Sequence, residues 1–139
     1  MTTSASPATV CGFVAIAGRP NVGKSSLLNR FVGRKVSITS RRPQTTRNRI
    51  LGIRTTGRAQ VIFVDTPGIH GGGGKEMNRL INRTAIASLE GVDVILMMIS
   101  ATGWRPDDDL VYQRASEIGV PIVLAINKCD LLERIDMNE

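Results

Sequence analysis

No acidic side chain precedes Asp65. Residues 1–64 carry eleven Lys and Arg with no Asp or Glu, whereas residues 65–139 carry seven basic and twelve acidic groups. The net charge of +6 therefore covers a strongly basic first half and an acidic second half. Such asymmetry points to a polyanion (nucleotide phosphates, RNA or an anionic membrane surface), with a merely solvated basic face as the plain alternative. Aromatic residues are only 4% of the chain, so the core must come from Val, Ile, Leu, Met and Ala. Apolar runs such as residues 94–99 have strand length, far short of the ~18 residues a membrane helix needs. His70 is the sole histidine, which excludes a histidine-based metal cluster and leaves an exposed loop residue. Cys11 and Cys129 are too few for a disulfide framework or a zinc site and read as free thiols in a reducing compartment. The opening MTTSASPAT lacks a basic stretch and an apolar stretch, so it reads as a frayed tail and not a signal peptide. The expectation is a cytoplasmic chain.

At 139 residues there is room for one modest domain. Strand-like and helix-like segments alternate along it. Residues 10–17 are apolar and β-branched, and 21–32 carry Leu27, Leu28 and Phe31 at helical spacing. Residues 34–49 are basic, rich in Ser and Thr and interrupted by Pro43, as a loop would be. Runs 50–56 and 59–64 flank Gly57 and predict a hairpin. A loop with four consecutive glycines, Gly71 to Gly74, precedes a helix over 76–89. Residues 92–99 and 120–126 are continuous apolar runs, the pattern of strands buried on both faces. Met97 and Met98 in the first of them are core filler. Between them, 106–118 reads as a helix with proline at its start and Asp107, Asp108 and Asp109 set against the positive end of its dipole. Residues 131–139 begin another helix. This alternation implies a mostly parallel α/β sheet.

Three motifs carry chemistry. Gly18-Arg19-Pro20-Asn21-Val22-Gly23-Lys24-Ser25 follows a strand and opens a helix, the context in which such a loop turns its N–H groups onto a phosphate. Lys24 would reach the β- and γ-phosphates, and Ser25 would offer its hydroxyl to Mg²⁺. Asp65-Thr66-Pro67-Gly68 lies 41 residues after Lys24, at a strand's end. A carboxylate there suits the metal's second contact, through water, and Gly68 would let its N–H approach the γ-phosphate. Asn127-Lys128-Cys129-Asp130 follows the last strand. Asp130 can accept from N1–H and the 2-amino group of guanine. Adenine has no donor at N1 and would leave the carboxylate unpaired, a loss of about 1.5–3 kcal/mol. Asn127 would bond the N7 side of the base, and the stem of Lys128 would lie over the ring. Cys129 is the variable position and has no assigned chemistry.

These motifs, in this order, are the signature of small GTPase domains. Gly12-Phe13-Val14-Ala15-Ile16, GRPNVGKSSLLN, ITSRRPQTTRNRI, DTPGIH, Leu80-Ile81-Asn82-Arg83 and WRPDDD further resemble the Era family of bacterial GTPases, from about Val10 onward. The resemblance implies a Ras-like P-loop GTPase fold, with a mostly parallel sheet and flanking helices. It also implies GTP hydrolysis to GDP and phosphate, and a switch role in small ribosomal subunit (16S rRNA, 30S) maturation. Residues 18–26, ending in Ser26, would hold the phosphates; Asp65, Thr66, Pro67, Gly68 and Ile69 would lie at the γ-phosphate. Asn127, Lys128 and Asp130 would hold guanine. Gln44 to Asn48 would be the first switch segment, with Thr46, or alternatively Thr45, contacting Mg²⁺ when the γ-phosphate orders the loop. Lys24, Thr46 and Gly68 would serve catalysis, and Ser25, Thr46 and Asp65 the Mg²⁺ ion.

The resemblance also sets departures. Era-family chains continue into a further guanine-contacting loop, a last strand and helices, then an RNA-binding KH domain. This chain stops at Glu139, so the expectation is a tail over 1–9 and an incomplete GTPase domain over 10–139, truncated before the KH domain. Ile69 stands where many GTPases have a water-orienting Gln, so this protein needs another device or hydrolyses slowly. The resemblance is to a group of GTPases with this substitution, some of which use K⁺ as a fixed cation in place of an arginine finger. Asn21 reads either as a K⁺ ligand or as a residue making a local turn-stabilising hydrogen bond. Partners implied are GTP and GDP, 16S rRNA, and the inner membrane face as a peripheral site. Two rival functions differ in class. One is a non-catalytic nucleotide- or RNA-binding fragment whose affinity comes from the basic half. The other, an ATP-dependent P-loop enzyme, is disfavoured by Asn127 and Asp130.

Overall fold

The computed structural model describes residues 8–32, 50–66 and 91–133. The first switch segment with Thr45 and Thr46, residues Pro67, Gly68, Ile69 and His70, the glycine run, the expected helix over 76–89 and residues 134–139 lie outside them.

Five strands form one mixed sheet in the order β2-β3-β1-β4-β5. β1 (Val10–Ala17) pairs in parallel with β3 (Ala59–Val64) and β4 (Val94–Ser100), and β4 pairs in parallel with β5 (Ile122–Asn127). β2 (Ile50–Thr56) runs antiparallel to β3 through the expected hairpin at Gly57, with an irregularity between Ile50 and Gly52. After β1 the chain turns to one side through α1 (Lys24–Val32) and the hairpin, then crosses to the other side of β1 to make β4. That reversal opens a crevice at the carboxyl end of β1, where parallel sheets bind ligands.

The period-2 alternation of β1 and β4 divides the core between the two sheet faces. Ile16, Val22, Phe63 and Met98 are buried on the face that also receives Leu27, Leu28 and Val32 from α1. Ala15, Ala17, Val64, Ile95, Met97 and Ile99 are buried on the other, under Val111 and Ala115 of α2 (Pro106–Ser116). Met97 and Met98 are 0% and 1% exposed, as expected of a strand covered twice. Truncating such a residue to alanine is expected to cost about 2–5 kcal/mol.

Several boundaries differ from the sequence expectation for local reasons. α1 begins at Lys24, not at residue 21, because Asn21 and Gly23 adopt φ of +66° and +102° and cannot be helical. β4 begins at Val94, since Asp93 turns its carboxylate to the N–H of Phe13 at 2.8 Å. α2 ends at Ser116, two residues early, and Gly119 follows with φ +78°. No residue of α1 is fully buried. Phe31 is half exposed, stacked on Phe63 at 6.0 Å and capped by the Arg54 guanidinium at 5.8 Å.

β5 lies at the sheet edge. Among the described residues it pairs only with β4, and Val123, Leu124 and Ile126 are 52%, 48% and 57% exposed. Its edge position leaves backbone groups unpaired, and the exposure of adjacent Val123 and Leu124, which point to opposite faces, means that neither face of this strand is fully covered, unlike the strand buried on both faces that its composition predicts. A short helix, α3 (Asp130–Glu133), follows it. Both cysteines are exposed thiols. Among the described residues no helix is long and apolar enough to cross a membrane.

Candidate nucleotide-binding site

The first and third motifs, with Asp65 and Thr66 of the second, lie at the carboxyl ends of β1, β5 and β3. The loop after β1 turns tightly against the sheet. A Cβ at Gly18 would lie 2.7 Å from the carbonyl oxygen of Met98, and one at Gly23 would overlap the side-chain amide of Asn127. Only glycine fits either position, so the spacing of the first motif follows from the close approach of β4 and of the third motif.

Lys24 folds back across this loop. Its Nζ donates to the carbonyls of Gly18 at 2.6 Å and Arg19 at 2.8 Å. Burial lowers its pKa from the ordinary lysine range, the Asp65 carboxylate raises it, and the Arg19 guanidinium lowers it further. The net effect is a cation less comfortable than in water, which an anionic ligand would relieve. Ser25 and Ser26, in the first turn of α1, are solvent-exposed.

Asp65 stands directly after β3. Its Oδ1 accepts the N–H of Thr66 at 2.9 Å. Thr66 is fully buried, and its hydroxyl donates to the carbonyl of Ile16 at 2.6 Å. Thr66 thus anchors the second motif to β1 through its side chain, a role distinct from the ligand contact the sequence suggests. Oxygen donors from a hydroxyl and a carboxylate at one crevice suit a hard divalent cation that keeps water and phosphate ligands. Among the described residues no cluster of three or more His, Cys, Asp or Glu side chains offers an all-protein metal cage.

The third motif is bonded to the first. Asn127 Nδ2 donates to the carbonyl of Val22 at 2.8 Å, and Lys128 Nζ donates to the carbonyl of Asn21 at 2.7 Å. Lys128 itself has φ +62°, which turns its stem back over the loop. Asp130 opens α3 with its side chain exposed.

One participant was missed by sequence reading. Arg19 Nε lies 3.2 Å from Oδ2 of Asp108, whose side chain is 0% exposed. The same oxygen accepts the N–H of Arg105 at 2.9 Å. The three aspartates at the start of α2 therefore differ: Asp107 and Asp109 are exposed, and Asp108 is buried against the phosphate-loop arginine. The DDD run carries no signal to single out its middle member.

Residues 13–128 match the family described as 50S ribosome-binding GTPase. The chain belongs to this GTPase family. It is 53% identical over 126 residues to GTPase Era of Pseudomonas savastanoi pv. phaseolicola, covering 91% of this chain and 42% of that protein. GTPase Era of Pseudomonas aeruginosa PAO1 is 51% identical over 123 residues, 88% of this chain and 40% of its own length. The chain thus spans less than half the length of the curated relatives it matches. Among solved structures, it resembles Era in complex with MgGDPNP and nucleotides 1506–1542 of 16S ribosomal RNA, with TM-score 0.66 and 45% identity over 93% of this chain and 46% of that one. It also resembles an Era variant of Aquifex aeolicus bound to GDP and AlF4⁻, with TM-score 0.64 and 43% identity over 93% of this chain and 48% of that one. The mixed five-stranded sheet with flanking helices is that of a Ras-like GTPase domain, and within this family the chain is Era-like.

Proposed function

We propose that this chain binds GTP and GDP and hydrolyses GTP to GDP and phosphate, as the nucleotide-binding unit over residues 10–139 of an Era-type switch. The observation that carries the reading is the pair of hydrogen bonds from Asn127 and Lys128 to the carbonyls of Val22 and Asn21. They join the phosphate-binding loop and the guanine-selecting motif into one rigid cradle. A phosphate chain gripped at one end and a purine read at the other then fall on a single ligand.

In this reading residues 18–26 wrap the phosphates with backbone N–H groups. Lys24 places its charge against the β- and γ-oxygens. Asp130 accepts from the guanine N1–H and 2-amino group. Ser25 and Asp65, the latter through water, would hold a Mg²⁺ ion, whose bound form neutralises charge on the β- and γ-phosphates. Thr46 and Gly68 are assigned roles at the γ-phosphate by resemblance. Water attacks the γ-phosphorus in line, the bond to the β–γ bridging oxygen breaks, and GDP and phosphate leave. Ile69 stands by resemblance in the water-orienting position and cannot orient water, so hydrolysis uses another device or is slow.

Asn21 adopts φ +66° within the loop, a turn geometry Asn favours that fits a K⁺ ligand and a turn-stabilising residue equally; the bond it receives from Lys128 involves its carbonyl. Faster hydrolysis in KCl than in NaCl at equal ionic strength supports the K⁺ reading, and equal rates overturn it. The Era–16S rRNA complex and the basic first half support 16S rRNA and the 30S subunit as partners of the whole protein, in the cytoplasm, ahead of a peripheral membrane site. The test is phosphate release from GTP with Mg²⁺, beside GDP binding. Binding without release would favour the non-catalytic reading.

A further inference from the structure

Arg19 sits inside the phosphate-binding loop, yet its side chain is spent on a residue 89 positions later. Nε donates to Asp108 Oδ2 at 3.2 Å, with the arginine side chain 14% exposed and the aspartate fully buried. Asp108 is itself held, because Oδ2 accepts the N–H of Arg105 and its own N–H donates to the carbonyl of Arg105 at 2.8 Å. The other oxygen, Oδ1, is buried without a hydrogen-bond partner. Among the described residues, the cation within salt-bridge distance of this buried carboxylate is Arg19.

The backbone of the same arginine does a second job. Its carbonyl accepts Lys24 Nζ at 2.8 Å, beside the carbonyl of Gly18 at 2.6 Å. An ammonium group has three N–H donors. Two are committed to these carbonyls, so their positions fix where the third points. The first turn of α2 holds Arg19, Arg19 holds its own carbonyl, and that carbonyl sets the direction of the Lys24 charge.

We propose that Arg19 is a positioning residue: with Asp108 it fixes the loop carbonyl that aims Lys24 at the nucleotide phosphates, so phosphate affinity depends on the first turn of α2. The proposal rests on the nucleotide-binding reading above. A purely structural ion pair makes a different prediction. Removing one partner alone leaves a buried charge uncompensated and lowers stability in either case. Removing both charges together leaves a neutral pair, which restores a structural role but cannot restore the aim of Lys24.

The experiment measures GDP affinity with Mg²⁺ by calorimetry, and the urea midpoint without nucleotide, for the 139-residue chain and its variants. Arg19→Met keeps the aliphatic stem, and Asp108→Asn keeps an acceptor for the Arg105 N–H. The double variant is expected to regain the midpoint lost by either single variant, while GDP affinity stays about tenfold to a hundredfold weaker than the parent's. Arg19→Lys, with a cation still in reach of Asp108, is expected to retain GDP affinity within about threefold. GDP affinity within about twofold of the parent in the double variant, or in Arg19→Met if the double variant does not fold, would overturn the proposal. Failure of the parent chain to bind GDP would instead refute the nucleotide reading.

Discussion

The side-chain amide of Asn127 donates to the carbonyl of Val22, 105 residues earlier, at 2.8 Å. Val22 is fully buried, so the bond pins the floor of the phosphate-binding loop to the end of β5. Asn127→Ala would orphan that carbonyl, a loss of about 1–3 kcal/mol. Part of the loss is expected as a lower urea midpoint and part as weaker GDP binding. An Asn127→Ala chain with both values unchanged would show that the two motifs are not mechanically joined.

Lys24 predicts opposite effects on stability and binding. Its folded pKa is lowered, chiefly by burial. The unfolded chain therefore binds this proton more tightly than the folded one. Without nucleotide, stability rises with pH across the window just below the ordinary lysine range, and at neutral pH the charge works against folding. Lys24→Met is expected to abolish GDP binding while the nucleotide-free midpoint holds or rises. Ser25→Ala, by contrast, is expected to remove the Mg²⁺ dependence of binding. A Lys24→Met chain that binds GDP like the parent would remove Lys24 from the site.

Base choice rests on Asp130, exposed at the start of α3. Asp130→Asn replaces a double acceptor with an amide that can pair with the altered edge of xanthine. Competition between GDP and XDP is expected to shift toward XDP, by a factor of about ten or more from one mispaired charged group. Unchanged preference would sink the assignment.

The open edge of the described sheet makes a colloidal prediction. Val123, Leu124 and Ile126 are about half exposed on β5, and unpaired apolar edges associate strand to strand. The 139-residue chain is expected to self-associate with concentration in sedimentation. Leu124→Lys is expected to reduce that association without lowering the midpoint. A parent chain that stays monomeric at high concentration would show that the edge is protected.

Element identity was legible where a pattern is local. The alternation of apolar runs with helical spacing marked β1, β4 and α2, and Gly57 marked the hairpin. The spacing of the loop from Gly18 to Ser25 and of Asn127, Lys128 and Asp130 suggested one site, and the structure brings Asn127 and Lys128 onto that loop. What stayed hidden depends on distant neighbours. Strand order and register are set by packing across the sheet, which no single run encodes. The start of α1 depends on backbone angles at Asn21 and Gly23 that the loop's closure imposes. Thr66 reads as a ligand contact but spends its hydroxyl on Ile16, and the Arg19–Asp108 pair joins residues whose separation no motif marks.

The central claim is that one cradle, closed by Asn127 and Lys128 onto the phosphate-binding loop, holds a guanine nucleotide. Calorimetric titration of the chain with GDP and with ADP, each with Mg²⁺, tests it most directly. The account predicts binding of GDP at one site per chain and none of ADP. Equal affinity for the two, or no heat with either, would contradict it.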